Sequence, residues 1–248
     1  MYQSAVGAST IIDTDGNVAE NLRAAVACVG REPSGPVAFT TCDILPDPVE
    51  LDRVLEHYLA QPPCSVWYPL IRAPEDRSKL AAFAWKPEYS LVLQAGAAAV
   101  RVLPGHLLIA ELPALRLALI YRLLAVAYRT RNRPITVRRR AMVQGVLGQL
   151  VLEDLRQLAT LRLPRLTWTV LRHGLWLARE LRAGTMLQND LERAVGAIVV
   201  KDRYRARFPE RGVRLPVLDA LSLAEDVDTE EEARQCEVSF DAARGGTA

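Results

Sequence analysis

Apolar residues recur at helical spacing from Asn17 to Val29, where Val18, Leu22, Val26 and Val29 share one face and Gly30 offers a stop. The short run Val37–Thr41 then reads as a buried strand. Asp47-Pro48-Val49-Glu50 has the chemistry of a helix start, with an acid at the N-cap, proline at the first helical position and a further acid in the first turn. Leu51, Val54, Leu55, Tyr58 and Leu59 give that helix its apolar face. Ser65–Ile71, rich in Val, Trp and Tyr, predicts a strand. Leu91–Gln94 and Ala98–Leu103 predict two more around a small Ala/Gly turn, and Leu107–Ile109 extends the sheet beyond Pro104-Gly105. From there helical periods dominate: Pro113–Tyr128, roughly Val137–Leu158, Leu163–Leu181, and Met186–Val195 capped by Thr185. Ala197–Lys201 reads as a short strand. Thr229 and the three glutamates after it open a last helix with acids at its positive end.

Strands alternating with helices over the first hundred or so residues predict an α/β fold with a mostly parallel, mixed sheet and flanking helices. The middle reads as a basic, all-helical insertion. The expected division is an α/β core over residues 1–112 and 196–240, an Arg-rich helical subdomain over 113–195, and a disordered tail over 241–248.

Charge sharpens the picture of the middle. The net charge of the chain is +2, yet Ala114–Arg182 holds fourteen arginines, no lysine and three acids, a local +11 against −9 elsewhere. Such asymmetry predicts an anionic partner for that segment. Trp168 and Trp176 among Leu and Arg favour an anionic membrane surface. Nucleic acid is disfavoured by the lack of lysine and of interleaved glycine and aromatics. The plainest alternative is a solvated helical face whose arginines pair with the acidic remainder. The most apolar stretch, Leu107–Tyr128, contains Glu111, Pro113, Arg116 and Arg122, which argues against a spanning helix. With no signal pattern at the N-terminus and Cys28, Cys42, Cys64 and Cys236 scattered, the expectation is a cytoplasmic protein with reduced cysteines, peripheral to a membrane if the basic helices bind one.

Candidate chemistry centres on Asp43. The run Val37–Thr41 ends beside this one carboxylate and a proline-containing loop. That arrangement would carry a metal ligand to the C-terminal edge of the sheet, where open α/β sheets bind ligands. The plain alternative is a turn or cap residue. A second cluster, Glu225-Asp226-Val227-Asp228-Thr229, sets carboxylates two apart before a helix start. Two such segments can converge on one Mg²⁺, which takes few protein ligands and leaves positions for phosphate oxygens. Alternatively the acids only complement a helix dipole. His57, His106 and His173 form no metal cluster, and Lys201 reads as solvated.

The segment Thr40-Thr41-Cys42-Asp43-Ile44-Leu45-Pro46 resembles the T/S-x-D-x-P motif of the MobA-like nucleotidyltransferases, which have a GT-A-type nucleotide-diphospho-sugar transferase fold. Asn17–Ala25 is similar to the family's preceding helix. Pro104-Gly105-His106 and its apolar strand are similar to its GGN segment, and Asp226-Val227-Asp228-Thr229 to its closing D-V-D-T. These motifs keep the family's order along nearly the whole chain. The resemblance implies a transferase that moves a nucleotidyl group from a nucleoside triphosphate to a phosphorylated acceptor with Mg²⁺. It implies Asp43 as catalytic residue and metal ligand, Asp228 and Asp226 as further ligands, Asn21 and Thr41 near the nucleotide, and Gly105 and His106 near the acceptor. The family's opening Gly-rich loop, followed by Arg and Lys, has no counterpart in Met1–Thr10, which has one glycine and neither cation. This departure leaves open a truncated or degenerate enzyme, or a non-catalytic membrane- or partner-binding module on the same fold. A further alternative is a GT-A glycosyltransferase using a nucleotide sugar with Mn²⁺ at Asp226-Val227-Asp228.

Overall fold

The computed structural model describes residues 17–30, 35–41, 44–76, 88–130, 141, 144–145, 147–148, 150–152, 154–155, 165–225, 230 and 234. Helix α1 (Val18–Val29) starts at a full capping box. Asn17 Oδ1 accepts from the Ala19 amide at 3.0 Å, and Glu20 reaches back to the Asn17 amide at 3.2 Å. Strand β1 (Val37–Thr40) follows, then α2 (Pro48–Leu59), whose cap Asp47 accepts from the Val49 and Glu50 amides at 2.9 and 3.0 Å. Five short strands come next: β2 (Val66–Trp67), β3 (Leu70–Arg72), β4 (Tyr89–Val92), β5 (Ala99–Pro104) and β6 (Leu107–Ala110). A 3₁₀ turn at Leu112–Ala114 leads into α3 (Leu117–Arg129). Helices α4 (Leu166–Ala183), α5 (Gln188–Val199) and α6 (Asp202–Arg207) precede β7 (Val213–Arg214), β8 (Val217–Leu218) and a closing 3₁₀ turn, Leu221–Leu223.

The strands form two four-stranded sheets, ordered β1-β6-β2-β7 and β4-β5-β3-β8. Three passes run through both. β2 continues into β3 across Tyr68-Pro69, β5 into β6 across Gly105-His106, and β7 into β8 across Leu215-Pro216. Two backbone bonds, Tyr68 N to Arg214 O at 3.0 Å and Leu70 N to Pro216 O at 2.8 Å, carry the parallel ladder over the joint. The β2–β3 pass is parallel to β7–β8. It is antiparallel to β5–β6, as are β1 and β4. All described strands but β5–β6 therefore share one direction. The α/β class with mixed sheets is borne out, and the antiparallel ladders come from one reversed pass in the middle.

Side chains alternate between two faces, as a strand period of two requires. Trp67, Ile71, Leu103, Leu107 and Ile109 pack with Val54 of α2 and with Leu223 of the closing turn. Val66, Leu70, Val102, Ala110 and Val213 face the other way, onto Val26 of α1 and partly buried Ile120, Leu177 and Val195 of α3, α4 and α5. The basic middle thus supplies most of one helical layer.

Four local expectations change. The strand expected over Ser65–Ile71 is two strands, because Pro69 has no amide to continue the ladder. The strand expected over Ala197–Lys201 is instead the end of α5, with Val200 alone in a bridge to Leu115. That bridge, with Arg116 N bonded to Val199 O and Lys201 N to Ala114 O, both at 2.8 Å, holds Leu115 extended after the 3₁₀ turn. It delays α3 to Leu117. Thr185 does not cap α5; its hydroxyl donates to Glu180 at 2.6 Å, and Leu187 is the N-cap residue. The last helix expected from Thr229 and the tail at 241–248 fall almost wholly outside the described residues.

Candidate active site

The β5–β6 pass carries a bulge at the residues singled out for the acceptor. Between the pairs Trp67–Ile109 and Leu70–Pro104, the β2–β3 side advances three residues and the β5–β6 side five, so two residues are extra. These are Gly105 and His106. Bulges re-aim side chains and often adjoin active sites. The tightness of the bulge explains the glycine: a Cβ at Gly105 would sit 2.7 Å from the Pro69 carbonyl oxygen, which accepts the Gly105 amide at 3.2 Å.

The bulge turns His106 toward the end of β1. Thr41 Oγ1 and His106 Nδ1 are hydrogen-bonded at 3.1 Å. The His106 amide donates to the Leu223 carbonyl at 2.8 Å. Just beyond β1, Ile44 is buried in the same apolar cluster as Leu223 and Ala224. A second tie joins the same segments. The Ser222 hydroxyl accepts from the Asp47 amide at 2.9 Å and donates to Glu50 Oε2 at 2.7 Å, while the Ser222 amide donates to Glu50 at 3.0 Å. Thr41 and residues 44–50, residues 105–106 and residues 220–224, far apart in sequence, therefore meet at one place on the sheet.

This place borders an opening. β1 pairs with residues 107–110 and β4 with residues 99–102 of the reversed pass. Among the described residues no strand pairs with that side of Leu103–His106. On the α2 face a groove of about 250 Å³ is lined by Glu50, Arg72, Glu75 and Asp219, with an exposed Arg72–Asp219 ion pair at 2.9 Å. The N-terminus of α2 offers no spare donors there at Val49 and Glu50, whose amides are taken by Asp47.

Of the residues nominated from sequence, Thr41, Gly105 and His106 are brought together. Asn21 lies exposed in the first turn of α1, a helix packed on the face away from α2. Asp43, Asp226 and Asp228 lie outside the described residues; Thr41 and Ile44 flank the first, and exposed Glu225 precedes the second. Among the described residues no group of three or more His, Cys, Asp or Glu could hold a metal. The side chains at this edge are the carboxylates and hydroxyls of Thr41, Glu50, Ser222 and Glu225 together with the His106 imidazole; the oxygens are of the hard kind that Mg²⁺ takes. Lys201 is committed elsewhere. Its ammonium donates to the Pro113 carbonyl at 2.9 Å, and burial, then Arg203 and Arg116, lower its pKa.

Two tertiary features had no sequence signal. The Ser222–Glu50 tie links residues 172 apart. Beyond the end of β6, Glu111 accepts from Arg211 Nη1 at 2.7 Å and from the Tyr204 hydroxyl. No spacing rule connects such positions.

No protein-family model and no curated protein matches the chain. Among solved structures the chain is similar to a hypothetical transferase from Thermus thermophilus, with a TM-score of 0.46 and 20% identity, covering 88% of this chain and 70% of that one. The α/β class rests on the strand pairings themselves.

Proposed function

We propose that the chain is a transferase of the nucleotidyltransferase kind, moving a nucleotidyl group from a nucleoside triphosphate to a phosphorylated acceptor at the sheet opening beside Thr41. The carrying observation is the Thr41–His106 hydrogen bond with the His106–Leu223 backbone bond. It joins the segment of the nucleotide-side motif, the segment of the acceptor-side motif and the stem of the closing acidic motif.

In the transfer, a phosphate oxygen of the acceptor attacks the α-phosphorus and forms a new P–O bond. The bond from that phosphorus to the bridging oxygen breaks, and pyrophosphate leaves with the electron pair. Mg²⁺, when bound, neutralises triphosphate charge and orients the reacting phosphorus. The residues proposed to hold it are Asp43, Asp228 and Asp226. Asp43 is bonded covalently to Ile44, whose side chain is buried against the closing turn, so both proposed ligand segments start from one apolar anchor. Thr41 fixes the His106 ring, and the bulge at Gly105 sets its height above the sheet. This pre-orders the acceptor side before substrate arrives.

A thermal-shift screen tests the proposal. Nucleoside triphosphates with Mg²⁺ should raise the melting temperature, more than the same nucleotides with a chelator. A larger shift from nucleotide sugars with Mn²⁺ would replace the proposal with glycosyl transfer. No nucleotide shift at all would favour a non-catalytic binding module.

A further inference from the structure

Helix α4 carries a second surface whose pattern is independent of the nucleotide site. Arg165, its N-cap residue, and Trp168, Arg172, Leu175, Arg179 and Arg182 within it follow at intervals of three and four, which places them on one stripe. All six are exposed, with Trp168 at 68% and Leu175 at 71%. The opposite side of α4 is in use: Trp176, Leu177 and Leu181 pack on the core, and Leu166 and Val170 on a smaller cluster. The stripe is therefore the outer face of a docked helix, about 25 Å long at 1.5 Å per residue.

Among the described residues the charges of this stripe are not neutralised by ion pairs, a trait shared with Arg23, Arg53, Arg122, Arg129, Arg203, Arg207 and Arg214, but only the stripe lines its guanidiniums up along one helix face with Trp168 and Leu175. Arg72, Arg101, Arg116, Arg193, Arg205, Arg211 and Arg234 all sit in ion pairs. Among the described residues, no ion pair involves Arg165, Arg172, Arg179 or Arg182. The one carboxylate in α4, Glu180, accepts from the Thr185 hydroxyl instead. Next to the start of α4, Asp154 accepts from the Leu166 and Thr167 amides at 3.0 and 2.9 Å. It thereby pins a helical segment that exposes Val151, Leu152 and Leu155. Unpaired guanidiniums thus alternate with a large aromatic and an aliphatic side chain, beside further exposed apolar groups.

We propose that this face docks the protein on the surface of an anionic phospholipid bilayer, lying in the interface rather than crossing it. The guanidiniums complement lipid phosphates and carboxylates, and Trp168 and Leu175 enter the boundary between headgroups and acyl chains. Among the described residues no helix is long and apolar enough to cross a membrane, in keeping with a helix that lies flat. A nucleic-acid surface would use the same charges but would gain little from an exposed leucine in the middle of the stripe. The arrangement sets the proposed transferase site on a membrane-associated body, yet it stands or falls separately from that site.

The test is flotation of the full chain with phosphatidylcholine vesicles, with and without phosphatidylserine. Binding is expected with phosphatidylserine only, weakening as salt rises. Removing two of these charges should lower the partition coefficient by about thirtyfold, from roughly one kcal/mol per basic residue near the surface. The variant Arg172→Glu/Arg179→Glu should therefore lose at least that much. Trp168→Ser/Leu175→Ser should also bind more weakly at unchanged charge. Both variants change only exposed side chains and are checked by circular dichroism. Absence of binding to the anionic vesicles, or binding untouched by both variants, overturns the proposal. So does binding of polyuridylate RNA that depends on Arg172 and Arg179 but not on Trp168 and Leu175.

Discussion

Cys64 is a residue whose surroundings change its chemistry. It is buried beside Trp67 and Val54, and burial pushes its thiol from 9.0 up to about 11, with Arg214 opposing and Glu111 and Glu192 adding. Tyr68 next in the chain's core is pushed from 10.0 to about 12, again by burial. Both groups hold their protons more tightly when folded. The unfolded chain therefore deprotonates first, and stability is lost as pH rises. For Cys64 that contribution is intact below pH 9.0 and gone above about 11. The urea midpoint should fall across this window, and Cys64→Ala should flatten the lower part of the fall. A midpoint independent of pH between those limits would contradict the burial argument. At the same scale, the role of Thr41 was legible only in part. The sequence placed it as the last residue of a strand, but its bond to His106 spans 65 positions and depends on a bulge.

Among the elements, that bulge is the feature on which the candidate site depends. Two extra residues in β5–β6 have no local signature, because register is set by which residues oppose each other across strands. The sequence marked Pro104-Gly105 as a break and His106 as notable by resemblance. It also expected Leu107–Ile109 to carry the sheet on beyond that break, as β6 does, but not the two extra residues between them. Helix α2 was legible because its signals are local: Asp47 caps, Pro48 fits the first turn and the apolar period follows. The end of α5 was not, since Ala197–Lys201 has the composition of a strand. Tertiary packing overrides it, as Ala197 is buried and Val195 and Val199 pack against the sheet. Gly105→Ala forces a methyl to within 2.7 Å of the Pro69 carbonyl. Relieving that contact should destabilise the fold by about 1–3 kcal/mol, the usual range for overpacking. Chemical denaturation measures it; a stability equal to wild type would mean the joint between the two sheets yields freely.

The described residues form two mixed sheets joined by three shared passes with helices on both faces, and the candidate site exists only because the chain returns. The segment after β1 and the segment after β8 are at opposite ends of the sequence, and Ile44, Leu223 and Ala224 bury together. The α/β class was legible from alternating strand and helix patterns. Helices α3, α4 and α5 of the basic middle were legible as helices, yet their packing against the sheet was not, and the helix expected over Val137–Leu158 lies largely outside the described residues. Their outward arginines dominate composition, while the inward contacts of Trp176, Leu177 and Leu181 are too sparse to stand out in the sequence. The closing segment and the β1 segment are proposed to form one Mg²⁺-dependent nucleotide site in which Asp43 is a ligand. The direct test is the melting shift given by a nucleoside triphosphate with and without Mg²⁺, in wild type and in Asp43→Ala, both matched for stability without ligand. The metal-dependent part of the shift should be present in wild type and abolished in Asp43→Ala; a shift of equal size in the two proteins would contradict the account.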